Sequence, residues 1–370
     1  MNAGYLAVWF LANLAVIALY LVFRRRIPAI RRQWLSCFIF VLKCVAAAAA
    51  GAALIVLGEY RTPFLAAAQI LLVGDCISDL ILAVLYIAFR RQRDRLRNIH
   101  KKGYLAAAMA MVLIVYGFIN MQFVKQTNYS ISSDQLQHRY RIVYLSDVHY
   151  GTSQDLALLE NTVKRINDLD ADIIIFGGDI SDEYTSEVEM KQLYGVLGGL
   201  ESTYGNYFVY GNHDEQLPDS HMKRTYSDDE LKETIDANGI TILCDDVEEI
   251  NNDLLLVGRG NASRGGRKEL PAYLAMASDP DERYCVLLDH QPMEWNEASE
   301  SGFDLMLSGH LHAGQLFPVG TVGRVKYPVM KGKTKIGDMT LIISSGLSGW
   351  GYPYRTESHC EYEVIDIQPK

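Results

Sequence analysis

RIVYLSDVHY, residues 141–150, is the stretch whose reading decides the fold. Ile142, Val143, Tyr144 and Leu145 form an unbroken apolar run, as in a strand buried on both faces. The run then ends on Asp147 and His149, polar groups that a strand end does not otherwise need. The same design recurs downstream. Residues 172–176 read as a second buried strand and lead into Gly177-Gly178-Asp179. Residues 206–210 lead into Gly211-Asn212-His213-Asp214, residues 284–288 lead to His290, and residues 304–307 lead to Gly309-His310-Leu311-His312. Residues 156–169, 188–200 and 228–238 have helical periodicity, and 240–243, 254–257, 340–344 and 362–367 are further strands. Strands alternating with helices, then mostly strands, imply a layered α/β domain over 140–370, a β-sandwich flanked by helices.

Ligands of open α/β sheets gather beyond the carboxyl ends of strands. Taken singly, Asp-x-His or Gly-Asn-His-Asp is also ordinary turn chemistry. Gly-His-x-His says more, because a two-residue offset on an extended segment turns both imidazoles to one side. Five strand ends presenting Asp, Asn or His together point to a polynuclear metal site. Carboxylate, imidazole and amide oxygen suit Mn²⁺, Fe²⁺ or Zn²⁺, and no thiolate is offered. Two such ions ~3.5–4 Å apart form the clamp used for in-line displacement at phosphorus. Asp179 is the natural bridging carboxylate, since Gly177 and Gly178 let it come close to both. A leaving alkoxide needs a proton, which an imidazole can supply near neutral pH.

Upstream of this domain the material changes. Residues 1–124 hold 14 Lys and Arg against 4 Asp and Glu, a net of +10; residues 125–370 carry a net of −19. The acidic domain argues against nucleic acid as a partner. Cys37, Cys44, Cys76, Cys244, Cys285 and Cys360 have no paired spacing, which argues against a disulfide framework. Four apolar stretches, about 5–23, 34–57, 64–89 and 104–124, each approach the ~20 residues a membrane span needs. Residues 125–139 read as a polar linker. The first stretch is followed by Arg24, Arg25 and Arg26 rather than a cleavage site, so it is not a signal peptide. Basic residues crowd the first and third connections, while the second holds only Arg61 beside Glu59. The positive-inside rule then places 125–370 on the extracytoplasmic side of a multi-pass cell-membrane protein. Lys43, Asp75 and Asp79 fall inside spans, where unpaired charge is costly, so a Lys43–Asp79 pair with Asp75 nearby is expected. Arg324, Lys326, Lys331, Lys333 and Lys335 form a basic stretch that could meet anionic headgroups.

Residues 140–367 resemble the calcineurin-like metallophosphoesterases, on the ordered series Asp147-x-His149, Gly178-Asp179, Gly211-Asn212-His213-Asp214, His290 and Gly309-His310-x-His312. The resemblance implies a metal-dependent phosphoric ester hydrolase with two divalent ions. One ion would take Asp147, His149, Asp179 and His312, and the other Asp179, Asn212, His290 and His310. It also implies attack by a metal-bridging hydroxide, with His213 as general acid and Asp214 orienting it. The segments SGHLHAGQ and SSGLSGWGYPYR look most like membrane-associated bacterial phosphoesterases, some acting on lipid-linked phosphates. Leu311 and Ala313 stand where relatives commonly have Thr and Gly, and neither is a ligand. The expected substrate is a lipid-linked or envelope phosphoester; the topology argues against a nucleotide-sugar lipid. The alternative is a membrane receptor or transporter whose outer domain only binds a phosphorylated ligand. Such a protein would be free to lose ligands or the His213–Asp214 pair, and here all are present.

Overall fold

The computed structural model describes residues 3–24, 33–57, 63–151, 155–215 and 224–370. Among these, the chain opens with helices α1 (Ala3–Arg24), α2 (Gln33–Leu57), α3 (Pro63–Ala88), α4 (Arg93–Lys102) and α5 (Tyr104–Met121). Three stretches are long and apolar enough to cross a membrane: Leu6–Arg24, Phe64–Ala88 and Tyr104–Met121. The fourth expected span is α2, in which the apolar stretch Phe38–Ala53 is shorter. Arg25, Arg26, Arg31, Arg32, Glu59, Tyr60 and Arg61 lie outside the described residues. Small residues bring α3 and α5 into contact: a Cβ on Gly74 would stand 2.8 Å from Ala110 N. Part of the third connection is helical, since α4 is a basic helix closed by Gly103 in the left-handed region.

The charges inside these helices meet. Lys43 Nζ on α2 lies 2.7 Å from Asp79 Oδ2 and 2.8 Å from Asp75 Oδ2, both on α3. Two further groups join them. Tyr20 OH donates to Asp75 Oδ1 at 2.9 Å, and His100 Nε2 on α4 lies 2.7 Å from Asp79 Oδ1. Four helices therefore share one polar knot, as the cost of unpaired charge in an apolar layer requires.

The remainder is built on two six-stranded sheets. The first contains β1 (Val124–Ser133), β2 (Tyr140–Leu145), β3 (Ile173–Phe176), β4 (Asn206–Phe208), β5 (Ile240–Ile242) and, from the far end of the chain, β12 (Cys360–Pro369), in the order β1-β12-β2-β3-β4-β5. The second contains β6 (Asp246–Ile250), β7 (Leu254–Gly258), β8 (Tyr284–Leu288), β9 (Leu305–Ser308), β10 (Gly332–Ile336) and β11 (Met339–Ile343), in the order β10-β11-β9-β8-β7-β6. Alternation decides which side chains meet which layer. Ile142, Tyr144, Ile173 and Ile175 point between the sheets, against Leu254, Leu256, Val286 and Leu305. Val143, Leu145, Ile174 and Phe176 point outward onto α6 (Leu156–Asn167), α7 (Glu187–Leu197) and α8 (Asp228–Ala237). On the other side, Leu255, Leu287, Met306 and Leu341 meet α9 (Leu270–Leu274) and α10 (Trp295–Glu300). This four-layer order explains the apolar runs of the central strands.

One expectation fails here. Residues 125–133 are not a linker; they are β1, which pairs in parallel with β12 along its whole length. The segment is polar because β1 is a sheet edge, with Tyr129 and Ile131 turned to the core and Asn128, Ser130 and Ser132 turned to water. Strands β6 and β10 escaped the sequence reading for the same reason: both are edges with mixed burial.

Candidate metal centre

Strands β2, β3 and β4 run parallel in one sheet and β8, β9 and β11 run parallel in the other. Register makes their ends level: Leu145 is opposite Phe176, Phe176 opposite Phe208, and Leu288 opposite Leu307. The polar residues that follow therefore share one edge of the sandwich. Bonds between the sheets close it. Leu347 N donates to Ser146 O at 2.9 Å, Ser348 N to Asp147 O at 3.0 Å, and His310 N to Asp147 Oδ1 at 2.9 Å.

The backbone is bent hard to do this. Asp147, His149, Asp179, His310 and His312 all have φ between 45° and 70°. That left-handed region is costly for residues with a Cβ, and strain of this kind concentrates where geometry serves function. Gly178, at φ 88°, fits because a Cβ there would stand 2.6 Å from Gly211 N and 2.7 Å from His290 Nδ1.

Two groups of side chains result, each with its ligand atoms mutually within 4.8 Å: Asp147, His149 and His312, and Asp179, His290 and His310. Asp179 lies between them, its Oδ2 2.8 Å from His290 Nε2 and 3.8 Å from His149 Nε2. His149 Nε2 and His312 Nε2 face one another at 3.2 Å. The opposite nitrogens are engaged. His149 Nδ1 lies 2.9 Å from Asp182 Oδ2, His290 Nδ1 2.7 Å from Gly177 O, and His312 Nδ1 3.3 Å from Ser348 O. Acceptors at Nδ1 keep the proton there and leave the Nε2 lone pairs turned inward, the arrangement found around bound metals. His312 is held well below the ordinary imidazole range, first by burial and then by His149, so it stays neutral. Among the described residues, the ion-pair partners of Asp147 and Asp179 are all histidines. Inward lone pairs and carboxylates without an ammonium or guanidinium fit divalent cations.

Asn212 is half-buried, and its Oδ1 accepts from Gln291 Nε2 at 3.3 Å, beside His290. His213 is buried, and its backbone N donates to Asp179 Oδ1 at 2.8 Å. Its ring is not oriented by Asp214. Asp214 is spent on the backbone, accepting from Asp179 N, Ile180 N, Ser181 N and Gly211 N at 2.6–2.9 Å. The side chain at His213 Nδ1 is Glu183, at 2.5 Å. Burial alone would lower His213; Asp179, Glu183 and Asp182 outweigh it and push it up to about 10. His213 is then an imidazolium at neutral pH.

Three contributors, Asp182, Glu183 and Arg355, were missed in the sequence; Trp350 belongs to the SSGLSGWGYPYR segment already singled out there. Asp182 and Glu183 follow Asp179 within one turn, and that acidic pair was the available signal. The Trp350 ring lies 4.9 Å from the His213 ring. Arg355, fully buried, donates to the carbonyls of His312, Ser345 and Ser348 at 3.1, 2.8 and 2.5 Å and so fixes the loop of one ligand. A lone arginine in a Tyr-rich segment gave no such signal.

The loops carrying His312 and Trp350 run onto the apolar helices. Leu316, Val319, Tyr352 and Tyr354 form one buried cluster with Trp9, Ala66, Ile70, Ala110 and Ile114. Gln69 Nε2 donates to Phe317 O at 3.2 Å, Asn120 Nδ2 to Ser358 O at 2.8 Å, and Arg355 N to Gly117 O at 3.0 Å.

Residues 140–314 match the family model described as calcineurin-like phosphoesterase. An uncharacterized metallophosphoesterase of Helicobacter pylori is 27% identical over 283 residues, which is 75% of this chain and 73% of that protein. A transmembrane protein with metallophosphoesterase domain of Danio rerio is 29% identical over 293 residues, 72% of this chain and 63% of that one. Phosphodiesterase YaeI of Escherichia coli is 26% identical over 288 residues, 73% of this chain and 99% of its own.

Proposed function

We propose that this chain, a membrane protein whose calcineurin-like metallophosphoesterase domain makes it a metal-dependent phosphoester hydrolase, works at the membrane surface on a lipid-linked or cell-envelope phosphoester. The observation that carries this reading is the seating of the His312 and Trp350 loops on the apolar helices. A phosphorus atom at this centre would stand at headgroup level. An anchor that served only to tether would have no reason to grip the loops of the centre.

In this reading Asp147, His149, Asp179 and His312 hold one cation, and Asp179, Asn212, His290 and His310 hold the other. Two divalent ions bound there supply an acidified water and charge neutralisation for the phosphate. The chain's own work is positional and acid–base. Asp182, Gly177 O and Ser348 O aim three imidazoles. Glu183 holds His213 by Nδ1, which leaves Nε2 to deliver the proton to the leaving oxygen.

The same helices support an extracytoplasmic domain. The domain meets α1 near Trp9, α3 near Gln69 and α5 near Asn120, while basic α4 connects the opposite ends of α3 and α5. By the positive-inside rule α4 is cytoplasmic and the domain extracytoplasmic. Purified full-length protein assayed with p-nitrophenyl phosphate and bis-p-nitrophenyl phosphate, with and without Mn²⁺, tests the chemistry. Metal-dependent turnover is expected, and phosphate-ester binding without turnover would support a receptor instead. Lipid extracts of cells lacking the protein should accumulate a phosphorylated lipid; unchanged extracts would remove the lipid substrate.

A further inference from the structure

The turn after helix α11 (Val319–Gly323) has a composition that the acidic domain around it does not share. Arg324, Val325 and Lys326 are all exposed, and Val325, at 93% exposure, is the barest large apolar side chain among the described residues. Val325 thus stands bare between two exposed cations. Among the described residues neither Arg324 nor Lys326 forms an ion pair. Glu357 beside α11 is held by Gly320 N at 2.7 Å and Thr321 Oγ1 at 3.1 Å and feels the charge of Arg324 without a direct contact.

The position of α11 says what covers it. Val319 Cγ2 lies 3.5 Å from where a Cβ on Gly51 of α2 would stand. Gly51 is about 27 Å along α2 from Gln33, close to the ~30 Å thickness of a hydrocarbon layer. A second helix gives the same level: Gln69, which holds Phe317 O, is about 28 Å along α3 from Ala88. Helix α11, and the turn that follows it, therefore start from a level near the outer end of the apolar helices, about where acyl chains give way to phosphates. A valine flanked by Arg and Lys, followed by Tyr327 with Lys326 Nζ 4.9 Å from its ring centre, is the composition that such a boundary favours. The chain between His312 and α11 is short, and Leu316 within it is fully buried against the helices.

We propose that Arg324-Val325-Lys326 is a binding surface for anionic phospholipid, with Val325 in the acyl boundary and both cations on headgroup phosphates. It holds anionic lipid beside the loop that carries His312. The inference rests on the reading that the apolar helices cross a bilayer, and the experiment separates the two.

Full-length protein carrying Val325→Cys, in a background without other reactive thiols, is labelled with bimane and reconstituted in vesicles containing brominated lipid. One set is phosphatidylcholine alone and the other includes phosphatidylglycerol. A label at Val112, exposed on α5, serves as the membrane reference. The Val112 label should be quenched in both sets. The Val325 label should be quenched at least about twofold more with phosphatidylglycerol, and Arg324→Ala with Lys326→Ala should abolish that difference. Quenching at Val112 without quenching at Val325 overturns this proposal and leaves the membrane reading standing. Absence of quenching at both overturns both. Equal quenching at Val325 in the two lipids, or loss of the difference on adding inorganic phosphate, overturns the assignment to anionic lipid.

Discussion

Two knots of charge are buried in this molecule, one at the strand ends and one among the helices, and each gathers carboxylates within reach of histidine. In the helical knot Asp75 and Asp79 face Lys43, whose ammonium lies 2.7–2.8 Å from both. In the strand-end knot the ion-pair partners of Asp147 and Asp179 are imidazoles, two of which oppose their Nε2 atoms at 3.2 Å. The first carries its own cation, and its charges close among themselves. The second turns imidazoles and carboxylates toward a common point that no lysine or arginine enters, in a backbone bent into the left-handed region at five residues. Such a set is stable only if something positive is brought to it. A charge cluster therefore predicts a ligand by what it lacks, since acidity is common to both knots.

The sharpest test of that contrast removes the bridging charge. Asp179→Asn should cost nearly all metal and nearly all hydrolysis, read by metal analysis and by turnover of the purified full chain. Chelation should likewise lower the melting temperature of the domain while leaving the Lys43 knot intact. If Asp179→Asn protein retains both ions and turns over at the native rate, the strand-end knot is not a shared two-metal site.

The next effect is smaller and separates chemistry from metal binding. His213→Ala should keep both ions and lose ~10²–10⁴-fold in kcat. Loss of turnover only in proportion to lost metal would make His213 a ligand instead. Glu183→Gln removes a carboxylate that raises the His213 pKa. A general acid works only while protonated, so kcat falls as pH rises through its pKa. With that pKa lowered, the basic limb of the kcat profile should move to lower pH. An unmoved limb would break the Glu183–His213 assignment.

Below these comes the orienting carboxylate. Asp182→Asn should weaken metal binding ~10–100-fold, because it disturbs the hydrogen bond that aims His149. Equilibrium dialysis measures it, and unchanged affinity would mean that the bent backbone alone aims the ring.

What was legible in the sequence follows from burial. Central strands covered on both faces show as apolar runs, so β2, β3, β8 and β9 and the polar residues at their ends stood out. Edge strands β1, β6 and β10 did not, because one face and one flank meet water and their composition resembles a loop. The ligand-type residues were visible as groups a strand end does not need. Their partners were less so. Asp214 looked like the neighbour of His213, yet it caps four backbone N–H groups, and Glu183, from another loop, takes the ring. Sequence adjacency fails there because the turn sends consecutive side chains in different directions. Within the helices, the cost of unpaired charge pointed to the Lys43–Asp79 pair; His100, on a helix not foreseen, could not be placed.

The smallest effect on hydrolysis should come from the helical knot, and there the contrast is most exposed to refutation. Lys43, Asp75 and Asp79 already balance charge, so disturbing them should cost stability and leave turnover per folded molecule unchanged. Lys43→Asp places a third carboxylate beside two others. An unpaired charge at such depth costs at least ~2.5–3.5 kcal/mol, so yield and melting temperature in nanodiscs should fall. Adding Asp79→Lys restores an ammonium within reach of Asp75 and of the carboxylate introduced on α2, and part of the loss should return. A double variant no better than the single would mean that the 2.7 Å contact contributes nothing. If Asp75→Asn alone stops hydrolysis while both ions stay bound, the helical knot is not self-contained, and the two knots differ less than their geometry implies.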